Sequence, residues 1–167
     1  MVNIKVIAEV LRIGIQIGLF SKTEVIKWAD HTIETLDRPS IEIIEVALSS
    51  NDKLVDIVSK LKNIKGTYDK KLPVKIILGL LWEIFMINEE NVLKIKPFIS
   101  NLIHNNCCEG FSHVDEQLYN FNEEINLAAD NIYGNLKDIS QEIKSFLSLY
   151  ADFGIYFHLP YGGLDDE

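Results

Sequence analysis

The sequence predicts an all-α protein: a single-domain antiparallel helical bundle of about seven or eight helices with an extended C-terminal tail. Three observations predict this class. Apolar residues recur at three- and four-residue steps along nearly the whole chain, the period of a helix with one buried face. Only 4 prolines and 9 glycines interrupt 167 residues, which leaves little room for a loop-rich or all-β design. Hydrophobic residues at 47% with charged residues at 25% match a folded domain, and the length suffices to bury a real core.

Ile4, Ile7, Val10/Leu11, Ile15 and Leu19 define a first helix that ends near Gly18. Ser21-Lys22-Thr23-Glu24 has the form of a capping box, a hydroxyl for the open N–H groups with a carboxylate three residues later. The helix it opens points Val25, Trp28/Ala29, Ile33 and Leu36 inward, and Asp37-Arg38-Pro39 stops it. Ser40 caps a third helix through Ile41, Ile44, Ala47 and Leu48. Asn51 or Asp52 caps a fourth, with Leu54, Ile57/Val58 and Leu61 on its inner side and an end before Gly66. Pro73 suits the first position of a fifth helix, where a missing N–H costs nothing. That helix runs through Ile87 and is apolar almost all round, so it is expected to be central. Asn88-Glu89-Glu90 turns the chain, and Pro97 starts or kinks a helix running to about His104.

Beyond a break over residues 105–110, Val114, Leu118, Phe121, Ile125, Ala128 and Ile132 alternate steps of four and three. Leu136, Ile139, Ile143, Phe146 and Leu149 resume similar spacing after Gly134. Two antiparallel helices joined near Tyr133-Gly134-Asn135, or one long kinked helix, would explain both runs. From Asp152 the helical period fails, so residues 152–167 read as an extended or mobile tail over a single helical domain spanning 1–167.

Charge is distributed unevenly. Residues 1–108 hold 14 Lys+Arg against 13 Asp+Glu, a net of +1, whereas residues 109–167 hold 2 against 12, a net of −10. Together these give the chain's −9. So local an acidity argues against nucleic acid as a ligand and for a basic macromolecular partner. With about 100° per residue, the apolar stripe of the 114–132 helix leaves Glu116, Glu123 and Asp130 on the opposite side. Tyr119 and Leu127 flank that line. An acidic face carrying an aromatic residue is a plausible recognition surface, and these five residues are the expected partner-binding set.

Other constellations are weaker. His104, Cys107, Cys108 and His113 have zinc-ligand types, but adjacent cysteines make a poor clamp and zinc sites usually pair separated ligand knuckles. The cysteines read instead as small apolar residues at a helix end, beside exposed histidines. Asp30 and His31 are neighbours on a helix and do not face each other, and no nucleophile can be assigned to His31. Phosphate-loop, dinucleotide, nucleophile-elbow and zinc-protease motifs are absent. No catalysis, no cofactor and no metal are therefore expected. The segment Ile76 to Ile87 carries Glu83 and is shorter than the ~20 residues of a membrane span. The N-terminus lacks the features of a signal peptide, and two neighbouring cysteines fit a reducing compartment, so a cytoplasmic location is expected.

Ile17-Gly18-Leu19-Phe20-Ser21, Trp28-Ala29-Asp30, Asp37-x-Pro39 and Ile44-Glu45-Val46-Ala47-Leu48-Ser49 are the residues that carry a resemblance. Residues 15–49 resemble small all-helical bacterial immunity proteins encoded beside secreted toxins, as in contact-dependent inhibition and polymorphic toxin systems. The resemblance implies a cytoplasmic, non-catalytic inhibitor that binds a cognate toxin; it carries over no binding residue. With the acidic third it leads to an immunity protein that neutralises a basic toxin, such as a nuclease. The alternatives are a non-catalytic helical scaffold or regulatory interaction module and, behind it, a small metalloprotein using His104, Cys107, Cys108 and His113. Oligomeric state stays open.

Overall fold

In a computed structural model that describes residues 3–87, 92–155 and 157, every regular element is helical. Nine helices occur among the described residues. Where a single helical domain over 1–167 is expected, the helices group into two compact units, Met1–Asp69 with Phe157–Glu167, and Lys70–Tyr156.

The first unit holds α1 (Ile4–Ile17), α2 (Lys22–Thr35), α3 (Ile41–Ala47) and α4 (Leu54–Asn63). Asn3 opens α1 by accepting from the Lys5 N–H, and Gly18 closes it in the left-handed region at φ 83°. The Leu19 and Phe20 N–H groups then return to the Gly14 carbonyl at 2.8 and 3.2 Å, which satisfies a helix-end acceptor. This turn lays the Phe20 ring on Gly14, where an added Cβ would lie 2.1 Å from the ring. Phe157 packs against Phe20 with ring centroids 5.5 Å apart. Both halves of the expected capping box form at α2, with Ser21 Oγ accepting from the Glu24 N–H and Glu24 Oε2 from the Ser21 N–H. α1 packs on α4 and α2, and α3 on α2 and α4.

Polar side chains do unusual duty in this unit. Lys5 and Glu9 are buried on α1, joined at 2.7 Å, and Glu9 also accepts from Arg12 Nε at 2.7 Å. Lys5 Nζ donates a second bond to the Lys62 carbonyl at 2.8 Å, in the last turn of α4. A cation at a helix C-terminus is favoured, so this contact ties α1 to α4. Lys60 does the same for the 49–53 turn, donating to the Ser49 hydroxyl, the Glu45 carbonyl and the Asp52 carboxylate. Asp52 is thus engaged by a lysine; the α4 N-cap is Lys53, not Asn51 or Asp52. Ser40 occupies the α3 N-cap without a side-chain cap bond, and its hydroxyl donates to the Glu42 carboxylate. Ile41, Ile44 and Leu48, which mark the third helix in the sequence, are exposed, as is Leu54, expected inward, while Ile43 and Val46 turn in. In so short a helix, packing against α2 and α4 sets the rotation, and the apolar pattern of IEIIEVAL admits either side.

The second unit holds α5 (Lys71–Ile87), α6 (Val92–His104), α7 (Ser112–Ala129), α8 (Leu136–Ser148) and α9 (Ala151–Gly154). α5 starts two residues ahead of Pro73, which sits in the first turn where the N–H has no intrahelical partner anyway. It is buried nearly all round, packing on α6, α8 and α9, and so is central to this unit as expected. Pro97 lies inside α6 rather than at its start. The expected turn at Asn88-Glu89-Glu90 lies outside the described residues. The 114–149 stretch is two helices, not one. Leu149, expected inward, is exposed beyond the α8 end, and Ala151–Gly154 forms a last helical turn where an extended tail is expected. Residues 156 and 158–167 of that tail lie outside the described residues. Edge-to-face and tilted rings run from Phe121 of α7 through Phe146 and Tyr150 to Phe153 of α9. Lys75 of α5 sits 5.4 Å over the Phe153 ring.

α5 and α9 meet through glycines. A Cβ on Gly79 would lie 2.3 Å from the Gly154 nitrogen and 2.7 Å from the Tyr150 carbonyl oxygen. These are backbone atoms, so no rotamer change relieves the clash. Gly79→Ala is expected to cost about 1–3 kcal/mol, the range of overpacked interiors, read by urea denaturation; an unchanged midpoint would show that α9 yields freely. Lys60 and Ser49 hold the Asp52 carboxyl below its ordinary value, chiefly by hydrogen bonding from Lys60. A depressed carboxyl stabilises the fold fully above its unfolded pKa, and the contribution drains away as pH falls through the folded value. Asp52→Asn should therefore lower the melting temperature near neutrality and flatten its decline between about pH 5 and pH 2. Parallel acid limbs for the two proteins would contradict this.

Candidate functional site

α7 exists because its inner stripe is complete. Val114, Leu118, Phe121, Ile125 and Ala128 are all buried, at alternating steps of four and three. Asp115 in the first turn suits the positive end of the helix, and Ser100 Oγ of α6 donates to Asn122 Oδ1 at 2.7 Å. With one side committed to the core, the opposite side must face outward. Glu116, Tyr119, Glu123 and Leu127 all lie on the helix and are exposed, Tyr119 at 55% and Leu127 at 36%. Glu116 and Glu123 stand ~10.5 Å apart along the axis. None of these side chains joins the ion pairs Lys5–Glu9, Arg12–Glu9, Lys60–Asp52 and Lys65–Glu42, which belong to the first unit.

Asp130 sits differently. It is the C-cap residue rather than a helical one, and is exposed. A carboxylate at a helix C-terminus opposes the local dipole, and α7 has no basic residue in its last turn to offset it. Beyond it, Asn131 adopts φ 55° and the Ile132 N–H returns to the Leu127 carbonyl at 2.8 Å. The helix has therefore ended before Ile132, whose expected inward position is lost: Ile132 is 68% exposed and Tyr133 77%. Sequence reasoning places Tyr133 at the joint between the helices but puts Ile132 on the inner stripe. The signal was present, since an apolar pair just ahead of Gly134, between two periodic runs, sits in a loop by default.

Asn135 then opens α8 reciprocally with Asp138: the Asp138 N–H donates to Asn135 Oδ1 at 2.9 Å, and Asn135 Nδ2 to Asp138 Oδ2 at 2.8 Å. So the loop between α7 and α8 is anchored on both sides, and it leaves Asp130, Ile132 and Tyr133 exposed just beyond the end of α7. Chemically this surface offers carboxylates, a phenol and apolar contact area, which suits non-covalent recognition of a basic protein surface.

The His104, Cys107, Cys108, His113 group is dispersed by burial. His104 and His113 are exposed, Cys107 is half-buried and Cys108 is buried. His113 lies edge-on to Phe111 at 4.9 Å. Among the described residues no three His, Cys, Asp or Glu side chains gather where they could hold a metal ion. Every buried side-chain polar atom among the described residues has a hydrogen-bond partner. No helix of the described residues is long and apolar enough to cross a membrane. No protein-family model, no curated protein and no solved structure matches the chain.

Burial pushes the Cys108 thiol up to about 12, with smaller contributions from Cys107 and Asp115. The nucleophile in thiol chemistry is the thiolate, which Cys108 hardly forms near neutrality. Alkylation of the native protein at pH 8, mapped by mass spectrometry, should modify Cys107 well before Cys108. Equal rates at the two sites would mean that the Cys108 environment opens readily.

Proposed function

We propose that this chain is a cytoplasmic immunity protein that binds and neutralises a cognate bacterial toxin, a basic nuclease, through the acidic surface of α7. The observation that carries this reading is the outward line of Glu116, Tyr119, Glu123 and Leu127, continued by Asp130. A face of one charge sign attracts a partner of the other sign over about a Debye length and sets its orientation before contact. Tyr119 and Leu127 then supply apolar area inside the charged frame, the usual composition of a binding patch. The position of Asp130 adds support, because a residue that opposes its own helix end is better accounted for by a partner than by stability. The resemblance of residues 15–49 to immunity proteins points the same way. Binding alone inhibits, so the reading calls for no catalytic residue, cofactor or metal.

A second reading is a helical scaffold or regulatory module. It is favoured by α3, whose Ile41, Ile44 and Leu48 line one exposed side at helical spacing.

The product of the adjoining gene is the partner to test, by co-purification and then by binding kinetics. Reversing Glu116, Glu123 and Asp130 to lysine should slow association by about one to two orders of magnitude, with the largest loss at low salt. Asp130→Lys alone should raise stability by about 0.3–1 kcal/mol as it weakens binding, which separates recognition from folding. Undiminished binding by the triple variant, together with a loss on Ile44→Asp and Leu48→Asp, would favour the second reading.

A further inference from the structure

Between α7 and α8 lies a shallow open groove of about 400 Å³, lined by Gln117, Phe121, Gln141, Glu142, Ser145 and Phe146. We infer that this groove receives an arginine side chain of the basic partner; the inference rests on the proposed binding of such a partner and gives it a defined contact.

The ring that the groove exposes is the half-buried Phe146, with the buried Phe121 beneath it. Phe121 and Phe146 meet at 5.5 Å with their planes 67° apart, a T-shaped pair held in place by Tyr150 packing edge-on to Phe146, also at 5.5 Å. Guanidinium groups, planar and weakly hydrated, lie well on aromatic rings. The rim offers acceptors suited to the same group: the Glu142 carboxylate and the amide oxygens of Gln117 and Gln141. Ser145 Oγ spends its proton on the Gln141 carbonyl at 3.0 Å, which leaves its lone pairs available as acceptors. No lysine or arginine lines the groove.

Helical geometry deepens this bias. Asp138 precedes Glu142 by four residues and so lies on the same side of α8, whereas Lys137 and Lys144 are turned about 140–160° from Glu142. On α7, Glu124 follows Gln117 by one heptad and continues its stripe. The groove is therefore flanked by carboxylates on both helices, while Lys137 and Lys144, four and three residues from Gln141, stand beyond its Gln141 edge. A carboxylate over an aromatic floor, with neutral acceptors beside it, discriminates a guanidinium from both an apolar side chain and an anion. An acidic occupant would be repelled by Glu142, and an aliphatic one would gain nothing from it.

The test uses the full chain, isotopically labelled, and two short peptides: acetyl-Gly-Arg-Gly-amide and its citrulline counterpart, which keeps the shape and loses the charge. The arginine peptide should give saturable shifts of the Gln117 and Gln141 side-chain amides and the Ser145 backbone amide, and the citrulline peptide much smaller ones. Glu142→Gln, an exposed change, should weaken the arginine peptide about two- to fivefold, as expected for an exposed charge pair. Equal binding of the citrulline peptide, shifts centred on Glu116 and Glu123 instead, or none that saturate would each overturn the inference. Because the peptides report on the groove without the partner, failure of the acidic face against the adjoining gene product leaves this result separate.

Discussion

Backbone meets backbone where Gly79 of α5 faces Gly154 of α9, and the second unit is arranged around that approach. Side chains normally hold helices 8–10 Å apart, so a closer crossing requires residues without a Cβ on both sides. Its consequence is positional. α9 held tightly on α5 places Tyr150 and Phe153, and the row of rings running from them to Phe146 and Phe121 sets how α8 and α7 stack. α7 can then spend one complete stripe on the core and present the other. The seating of Tyr150 and Phe153 thus rests on a contact between two glycines.

The two units treat charge in opposite ways. In the first, Lys5 and Glu9 are buried, and their desolvation is offset by mutual pairing, Arg12 and the Lys62 carbonyl at the end of α4. Such a group adds little net stability compared with an apolar core, but losing one partner strands a buried charge at about 3–5 kcal/mol. It therefore specifies which face of α1 meets α4. In the second, Glu116, Glu123 and Asp130 are exposed to solvent. Charges used inward fix a fold; charges left outward are available to another molecule.

Much of the candidate site was legible in the sequence. Val114, Leu118, Phe121, Ile125 and Ala128 repeat with the helical period, so the opposite residues had to be outside whatever the helix packs on. Ile132 was not legible from that period, because the helix ends one turn early in a left-handed Asn131. The cap of α4 shows a similar override: Asp52 has a good capping side chain, but Lys60, distant by eight residues, takes it. Local propensity is a weak preference, and a lysine reaching back from the same helix is enough to redirect it.

The sequence by itself determined that the chain is helical, where most helices begin and end, and that its acidity is concentrated beyond residue 108. Period, capping residues and charge count are local properties, and they survive any arrangement of the elements. Only the tertiary structure decided which side of α3 faces out, that Phe157 lies with the first unit, that Gly79 and Gly154 must be glycine, and that a groove with a carboxylate rim opens between α7 and α8. Each depends on residues far apart in the chain meeting at contact distance, where excluded volume selects among rotations that the local pattern leaves nearly equal in energy.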